Sequence, residues 1–289
     1  MKSKLLIKIK LNLEYFLIYL IYKFTSILPI NLVTNLGGFI FKIIGPLTKT
    51  QKIVRKNYLQ IFPHANEVKV LKESKLSWLN IGKTFFELLI LPRIISDKTK
   101  ISVEGLINIA DIIKNNEQVI FVGIHESNWE ILLPTIDKLG VGVGGIYRHI
   151  NNPHIDKLIL NIRKKSVLSN KSFYTPKGKQ SAKDIISGIN EGLSLVFLID
   201  QKDSAGELVP FFNKPSKTQT GFLKLARKYN MKIIPVRNIR DKNNDFKVKF
   251  YPPLKDISNL DTIKIIHTMI EGWIRDCPSS WFLQHNRFS

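Results

Sequence analysis

Cysteine is almost absent from this chain of 289 residues, and acidic residues are scarce beside basic ones. The single cysteine, Cys277, cannot form an internal disulfide or build a thiolate zinc site alone, which excludes disulfide scaffolds and zinc fingers. Lys and Arg total 44 against 23 Asp and Glu, so the formal net charge is +21. That charge predicts anionic partners. Hydrophobic residues make up 44% of the chain, enough to build a core, which argues against disorder throughout.

The sequence also lacks the signatures of two large enzyme classes, the Walker P-loop and the G-x-S-x-G nucleophile elbow. The run GVGVGG at 140–145 has the spacing of a dinucleotide-binding loop, but it follows a predicted helix and precedes a predicted strand, the reverse of the required order. Gly140 is therefore predicted to end a helix. Basic residues are spread along the whole chain, and its apolar N-terminus would be a liability in a soluble nucleic-acid binder, so nucleic acid is not an expected partner.

No uninterrupted apolar run reaches the roughly 20 residues that span a bilayer as a helix. The uncharged stretch 15–22 is short, and the stretch 24–41 is interrupted by Pro29 and by the pair Gly37 and Gly38. No small-residue cleavage site follows the basic N-terminus, so removal as a signal peptide is not expected. Residues 1–50 are predicted to be a helical segment that associates with the membrane interface, and residues 51–289 the catalytic domain. A single membrane-spanning anchor is the alternative for this segment, and an ordinary helical subdomain packed on the core is a third interpretation.

Beyond residue 50, short apolar runs alternate with helical patterns. Apolar residues at helical spacing predict a helix over 66–91. Further helices are predicted at 129–139, 154–165 and 261–276, and strands at 118–124, 144–148, 194–199, 233–239 and 246–251. This alternation predicts an α/β fold with a mixed central sheet flanked by helices.

The most informative motif is IHESNWE, in which His125 follows a buried-looking strand and Glu130 comes five positions later. In α/β sheets, ligands bind where strands end and helices begin, and Ser127 or Asn128 is predicted to cap the next helix. A neutral imidazole can take a proton from an attacking alcohol, while a carboxylate on its other nitrogen fixes its tautomer. The motif therefore predicts that His125 is a general base and that Glu130 orients it, although a lone histidine at a strand end is more often structural.

With these residues the chain resembles the bacterial lipid A biosynthesis lauroyl/myristoyl (late) acyltransferase family, within the wider H-x4-D/E glycerolipid acyltransferase group. The resemblance runs nearly end to end and rests on an ordered set of segments beyond the His/Glu motif. These are RKNYLQIFP at 55–63, YRHINNPHID at 147–156, FLIDQ at 197–201, VPFFNKPSKTQTG at 209–221 and WIRDCPSSWFLQHNRF at 273–288.

This resemblance implies transfer of a fatty acyl chain from an acyl carrier protein thioester to a hydroxyl of a Kdo-lipid IVA-type precursor. It implies no cofactor besides the carrier thioester, and as partners the acyl carrier protein, the lipid A precursor and membrane phospholipid. It places the enzyme on the cytoplasmic face of the inner membrane of a Gram-negative bacterium. The expected substrate contacts are Asn128, Arg148, Arg163, Asp200 and Gln201, with the arginines on phosphates.

Three positions depart from the family pattern. Asn213 replaces the glycine of FFG, and is expected to keep the turn because asparagine tolerates positive φ. Val167 replaces a glycine after Arg163, and Asn286 replaces an arginine. Two other functions stay open: acyl transfer to another glycerophospholipid or glycolipid, and non-catalytic binding of anionic lipid at the membrane.

Overall fold

The computed structural model describes residues 2–254 and 260–288, and the side chains of residues 2–4 and 260 lie outside that description. The helices are α1 Lys2–Ile27, α2 Ile30–Ile44, α3 Gln51–Ile61, α4 Glu67–Leu89, α5 Leu91–Ser96, α6 Ala110–Asn115, α7 Leu132–Lys138, α8 Pro153–Lys164, α9 Lys179–Asn190, α10 Gly221–Lys228 and α11 Leu260–Asp276. The strands are β1 Ile101–Glu104, β2 Val119–Gly123, β3 Val143–Tyr147, β4 Phe173–Pro176, β5 Ser194–Leu198, β6 Lys202–Phe211, β7 Lys214–Thr218, β8 Lys232–Arg240 and β9 Phe246–Phe250.

Seven strands form the central sheet in the order β1-β9-β8-β2-β5-β3-β4, and β6 and β7 form a separate hairpin. The pair β8·β9 is antiparallel and every other neighbouring pair of the large sheet is parallel. The predicted α/β class with a mixed sheet flanked by helices is therefore confirmed. All five predicted strands are present, and β1, β4 and the β6–β7 hairpin are additions. Strands β1 and β4 have only four residues each, and β6 is long but largely exposed, so none of these strands has a marked apolar pattern.

The sheet separates two apolar cores, and β2 lies at its centre. Ile120 and Val122 pack with the helices and C-terminal segment on one face, whereas Val119 and Phe121 pack against the other face. Each of these four side chains is at most 1% exposed. The alternation follows from the two-residue period of a strand. Because both faces of β2 are covered, the end of this strand lies deep in the protein.

The glycines at 140–145 have the predicted, non-nucleotide arrangement. Gly140 directly follows α7 with a φ of +91°, which is the conformation of a glycine after a helix C-cap, and β3 comes next. The predicted turn at Asn213 is also present. Phe212 and Asn213 both have positive φ, at 48° and 59°, and join β6 to β7 as a two-residue hairpin turn.

Helix α1 runs without a break through Glu14 and Lys23, and Pro29 separates it from α2, where the sequence suggested an interruption. Its outer surface carries a row of large apolar side chains at about half exposure or more, namely Leu5, Leu6, Ile7, Ile9, Leu13, Phe16, Leu17, Leu20, Phe24 and Ile27. The amide of Asn152 donates to the Leu11 carbonyl, and Arg93 donates to the carbonyls of Thr25 and Ser26. Helix α1 is therefore attached to the protein on one side and exposes an apolar surface on the other.

Helix α2 packs closely on α4 through glycines. A Cβ at Gly37 would lie 2.5 Å from the Gly82 carbonyl oxygen, so both positions require the absence of a side chain. Within the part of the chain that the structure describes, one helical segment, Ile30–Leu47, is long and apolar enough to cross a membrane, with a mean hydropathy of 1.4 and 28% of it buried. Length and composition make this a weak indication of membrane association.

Candidate active site

Two parallel neighbours, β2 and β5, place a histidine and an aspartate side by side. The register pairs Gly123 with Leu198, so His125 and Asp200 each lie two residues beyond a paired position. The His125 ring nitrogen Nδ1 lies 2.7 Å from Asp200 Oδ1, and the His125 backbone amide donates to the same oxygen at 3.1 Å. The imidazole is held by its Nδ1 side, which leaves Nε2 as the nitrogen available to a reactant.

The C-terminal segment completes this arrangement. Trp281 donates its indole N–H to Asp200 Oδ2 at 2.7 Å, and the Phe282 amide donates to the His125 carbonyl at 2.9 Å. Burial alone would raise the pKa of Asp200, but attraction to His125 and the hydrogen bonds from that ring, from Trp281 and from the His125 amide lower the pKa below its ordinary value. Asp200 is therefore ionised near neutral pH, and Nδ1 of His125 carries a proton toward it.

Glu130 has a different partner from the one that the sequence predicted. Its two carboxylate oxygens accept hydrogen bonds from Arg163, from Nε at 2.8 Å and from Nη2 at 2.6 Å, and both side chains are nearly buried. The guanidinium also lies over the rings of Tyr147 and Tyr174, at 5.1 and 6.0 Å from their centroids. Asp200 thus occupies the position next to His125 that was expected for Glu130, because the register of β2 and β5 brings it there.

Buried polar side chains hold the turn between His125 and Glu130 in place. Arg237 of β8 binds both oxygens of Glu126 at 2.8 Å. Ser127 has a positive φ of 52°, and its carbonyl accepts from the Thr84 hydroxyl at 2.6 Å. A bidentate pair with a fully buried carboxylate is a strong geometric constraint, so this turn cannot shift without breaking several hydrogen bonds.

Asn128 is the helix cap that the sequence predicted, but it does not face the site. Its Oδ1 accepts from the Glu130 amide at 3.2 Å, which caps the short 3-10 turn Trp129–Ile131 that precedes α7. Its amide donates to Glu87 Oε2 at 2.9 Å, and the side chain is 0% exposed. The expectation that Asn128 contacts substrate is corrected by this burial: its polar atoms are directed into the protein.

A cavity of about 660 Å³ opens above His125. Its lining combines buried apolar residues, small as well as large, with exposed basic residues, Arg148 and Lys177, that mark its mouth. The apolar lining includes Leu88, Trp129, Leu133, Gly145, Val196 and Leu198. The polar lining includes Glu130, Arg148, Arg163, Lys177, Gln201, Gln219, Gln284 and His285. This shape suits a ligand with a long apolar chain and a polar headgroup.

Of the remaining predicted substrate contacts, three line the cavity and one, Asp200, lies behind His125. Arg148 is exposed at the mouth, and Gln201 lines the cavity, so both are positioned to meet a ligand. Arg163 also lines the cavity, but its guanidinium is bound to Glu130 through two hydrogen bonds. Asp200 is 2% exposed and reaches the site only through His125, so its carboxylate orients the imidazole and does not line the cavity.

Almost the whole chain matches a known protein family. The sequence profile of the bacterial lipid A biosynthesis acyltransferases matches residues 3–289. The chain belongs to this family. It is accordingly an acyltransferase with a place in lipid A biosynthesis. No curated protein matched it in sequence. Among solved structures, it is similar to the 1-acyl-sn-glycerophosphate acyltransferase PlsC from Thermotoga maritima, with 14% identity, a TM-score of 0.38, and coverage of 87% of this chain and 97% of that one.

Two of the departures from the lipid A acyltransferase pattern have a visible outcome. The Asn213 turn is formed, as described above. Val167 stands where a glycine was expected, yet α8 ends at Lys164 and Arg163 still reaches Glu130 through two hydrogen bonds. The missing glycine therefore leaves the position of Arg163 intact.

The sequence contains no sign that Trp281 supports the site. Trp281 is 2% exposed, as a core residue would be, but its N–H fixes Asp200. Nor does the sequence indicate that Arg237 and Glu87 support the turn, or that the Arg240 amide donates to the Ser127 hydroxyl at 3.2 Å. One usable signal was the matching position of His125 and Asp200, each the first residue beyond a predicted apolar strand.

Proposed function

We propose that this chain transfers a fatty acyl group from an acyl carrier protein thioester to a hydroxyl of a Kdo-lipid IVA-type precursor. The observation that carries the proposal is the His125 imidazole, held by Asp200 at the wall of a cavity that is partly lined by apolar residues. Family membership supplies the reaction class, and the site supplies a base with a defined free nitrogen. No cofactor besides the carrier thioester is part of this proposal.

In the proposed reaction, Nε2 of His125 takes the proton of the acceptor hydroxyl as its oxygen attacks the thioester carbonyl carbon. The C–O bond forms, the C–S bond breaks, and the imidazolium returns its proton to the leaving thiolate. Asp200 remains ionised and stabilises the transient positive charge on the ring. The carbon chain of the donor lies in the apolar part of the cavity, beside Leu133 and Gly145.

The surroundings of the cavity support a membrane-bound acceptor. Phe85 lines the cavity and packs edge-on against Phe41 of α2, with ring centroids 5.6 Å apart. The same helix exposes apolar side chains outward, including Phe39 and Ile43. We therefore place the apolar surfaces of α1 and α2 in the cytoplasmic face of the inner membrane of a Gram-negative bacterium, with the cavity mouth toward the lipid.

The charge of the protein supports anionic reactants. At a net charge of +21, association with an acidic carrier protein and with a phosphorylated lipid gains rate through electrostatic steering. Arg148 is the cation that we assign to an acceptor or carrier phosphate, since it is exposed at the mouth of the cavity.

The decisive experiment compares wild type with His125→Ala in membranes supplied with acyl carrier protein thioesters of several lengths and a tetra-acylated lipid A precursor. Mass spectrometry of the lipid should show a gain of one acyl group for the wild type. We expect the rate of the variant to be at least about a thousandfold lower, because it has no oriented general base.

His64→Ala, at an exposed position outside the cavity lining, is the matched control and should retain wild-type rate. Near-normal turnover by His125→Ala would refute the catalytic role and favour a different site. No gain with any chain length, from a folded membrane-bound wild type, would favour another glycerophospholipid or glycolipid acceptor. Lipid binding that is lost on deletion of residues 1–45, without turnover on any lipid, would favour the non-catalytic binder.

A further inference from the structure

A second histidine, His285 of the C-terminal segment, lines the same cavity as His125, and the fold fixes which of its ring nitrogens carries the proton. The Lys202 backbone amide lies 2.9 Å from Nε2 of His285. A backbone amide only donates, so Nε2 is the acceptor of this hydrogen bond. In the neutral ring, the proton of His285 is therefore on Nδ1.

The Nδ1 atom of His285 is open to a ligand. It has no hydrogen-bond partner within residues 2–254 and 260–288, yet the protein does not enclose it, unlike the buried polar atoms that are left without a partner. The residue as a whole is half-buried and belongs to the cavity lining. Its Nδ1–H is thus a donor that the fold leaves unused and that a bound molecule can use.

The His285 ring is uncharged near neutral pH. Burial lowers the pKa of the ring below its ordinary value. The negative charge of Asp200 opposes this shift, and the positive charges of Arg287 and Arg148 reinforce it. A neutral imidazole keeps its proton while it donates a hydrogen bond, so this ring is suited to stabilise negative charge on an oxygen without protonating it.

Two connections hold His285 beside His125. The Lys202 amide that binds the His285 ring is two residues beyond Asp200, which spans at most about 7 Å. Asp200 in turn binds the His125 ring at 2.7 Å. On the other side, the Phe282 amide donates to the His125 carbonyl at 2.9 Å, and the His285 amide donates to the Phe282 carbonyl at 3.4 Å. The two rings therefore belong to the same wall of the cavity.

Several backbone amides near His125 are already used within the protein. Backbone amides are common donors to the negative charge that develops on a carbonyl oxygen during acyl transfer. The amides of His125, Ser127 and Phe282 instead donate to protein oxygens, at 3.1, 2.8 and 2.9 Å. A side-chain donor is therefore needed at this wall, and His285 supplies one. Gln201 also lines the cavity, and its amide is the competing donor.

We propose that Nδ1–H of His285 donates a hydrogen bond to the carbonyl oxygen of the acyl thioester and stabilises its negative charge in the transition state. The proposal rests on the acyl transfer function proposed above. As the acceptor oxygen bonds to the carbonyl carbon, the π electrons of the C=O bond move to the carbonyl oxygen, and they return as the C–S bond breaks. The proton stays on Nδ1 throughout. The donor is in place beforehand, because Asn57 donates to the carbonyls of Leu283 and His285 at 2.8 and 2.6 Å.

Two substitutions separate this role from a structural one. His285→Gln keeps an amide oxygen to accept from the Lys202 amide but has no donor at the place of Nδ1. We expect its kcat to fall about a hundredfold in the acylation assay, with both KM values within about twofold of wild type and a thermal midpoint within about 3 °C. His285→Asn keeps an N–H at the place of Nδ1 but leaves the Lys202 amide without its acceptor. It should unfold about 5 °C lower and still retain kcat within about tenfold of wild type.

His64→Gln, at an exposed position outside the cavity lining, is the matched control and should keep wild-type kcat. A kcat of His285→Gln within about threefold of wild type would overturn the proposal, and a hundredfold loss in Gln201→Leu would then assign the donor to Gln201. The opposite order of the two His285 variants, a fast glutamine and a slow asparagine, would also overturn it, since a purely structural ring predicts that order. So would a higher KM with unchanged kcat, which indicates a contact of equal strength in the ground and transition states.

The proposed function and this proposal fail in different experiments. If the wild type acylates another lipid, the two His285 variants are compared on that lipid. If it acylates none, the full-length protein with isotope-labelled histidine is studied by NMR with a lauroyl pantetheine analogue that has an amide in place of the thioester. The His285 signals, identified by their absence from His285→Gln, should show the proton on Nδ1, and the Nδ1–H signal should move downfield as the analogue is added. A proton on Nε2, or an unshifted Nδ1–H signal at the highest analogue concentration, would overturn the role of His285.

Discussion

A carboxylate supports each of two walls of the same cavity, but the two carboxylates have different partners. In the strand-end wall, His125 lines the cavity and is held from behind by Asp200 and Trp281, whereas the helix wall consists of Glu130 and Arg163 with the rings of Tyr147 and Tyr174. In the first, the carboxylate faces a histidine whose distal nitrogen is directed to the cavity. In the second, the carboxylate is fully used by a guanidinium. A carboxylate five positions from a histidine in the sequence therefore need not be its hydrogen-bond partner.

Asp200→Asn tests the strand-end wall and should have the largest effect. The carboxylate receives three donors on two oxygens: the His125 amide and Nδ1 on one, and the Trp281 N–H on the other. An amide in either orientation places its NH₂ group against a donor, so the imidazole loses its orientation. We expect kcat to fall by about a thousandfold or more in the acylation assay.

Asp111→Asn, at an exposed position on α6, is the control and should leave kcat unchanged. A kcat of Asp200→Asn within threefold of wild type would contradict the role of Asp200 and favour Glu130 as the residue that orients His125.

Glu130→Gln tests the helix wall, and we expect its main effect on stability. The change leaves the Arg163 charge nearly buried without its counter-ion, which costs about 3 kcal/mol in the free energy of unfolding. Urea unfolding with an unchanged m-value measures this loss. The double variant Glu130→Leu, Arg163→Leu should regain most of it, because both buried charges are removed together.

A loss of activity without a loss of stability would reverse the roles of the two walls. If Glu130→Gln unfolds like wild type while kcat falls a thousandfold, Glu130 acts in the chemical step and the helix wall is catalytic.

His267→Gln tests how acid lowers the stability of the fold through a buried histidine that takes no part in the reaction. His267 contacts Phe211 and the Pro210 carbonyl, and burial lowers its pKa to about 4. The unfolded chain takes up this proton at an ordinary value near 6.5, so stability is full above pH 6.5 and is lost as the pH falls toward 4. Between pH 7 and pH 5, wild type should lose about 2 kcal/mol more than His267→Gln in urea unfolding. Equal losses in the two proteins would disprove the assignment.

Gly145→Ala tests whether the floor between the two walls sets acyl chain length, and we expect the smallest effect. A Cβ there would lie 2.7 Å from Leu133 Cδ1 and would push it into the cavity. The longest accepted chain should lose about tenfold in kcat/KM relative to the shortest, since a methylene in an apolar pocket has roughly that effect. Rates with a series of thioesters measure the shift.

Gly142→Ala is a closely matched control, because its Cβ would meet Leu193 Cδ2 at the same 2.7 Å but outside the cavity lining. A uniform decrease over all chain lengths in Gly145→Ala, or the same shift in Gly142→Ala, would argue against a floor at this position.

Local pattern by itself determined the elements that build the site. The apolar runs that became β2, β5 and β8, the glycine that follows α7 and the asparagine that caps the turn before Trp129 were all readable. These features depend on residues close in the chain, on strand periodicity and on the φ tolerance of glycine and asparagine. The histidine at the strand end, as a candidate base, was readable for the same reason.

Only the tertiary structure decided which carboxylate meets His125. That choice depends on β5 lying beside β2 in register, and on a tryptophan 81 residues beyond Asp200 reaching its free oxygen. It also depends on α8, which brings Arg163 to Glu130 across 33 residues. Spacing along a chain limits what neighbours can do, but contacts between distant segments are set by how the sheet and helices pack. For that reason the sequence of this protein identified its base, and the fold selected the partner of that base.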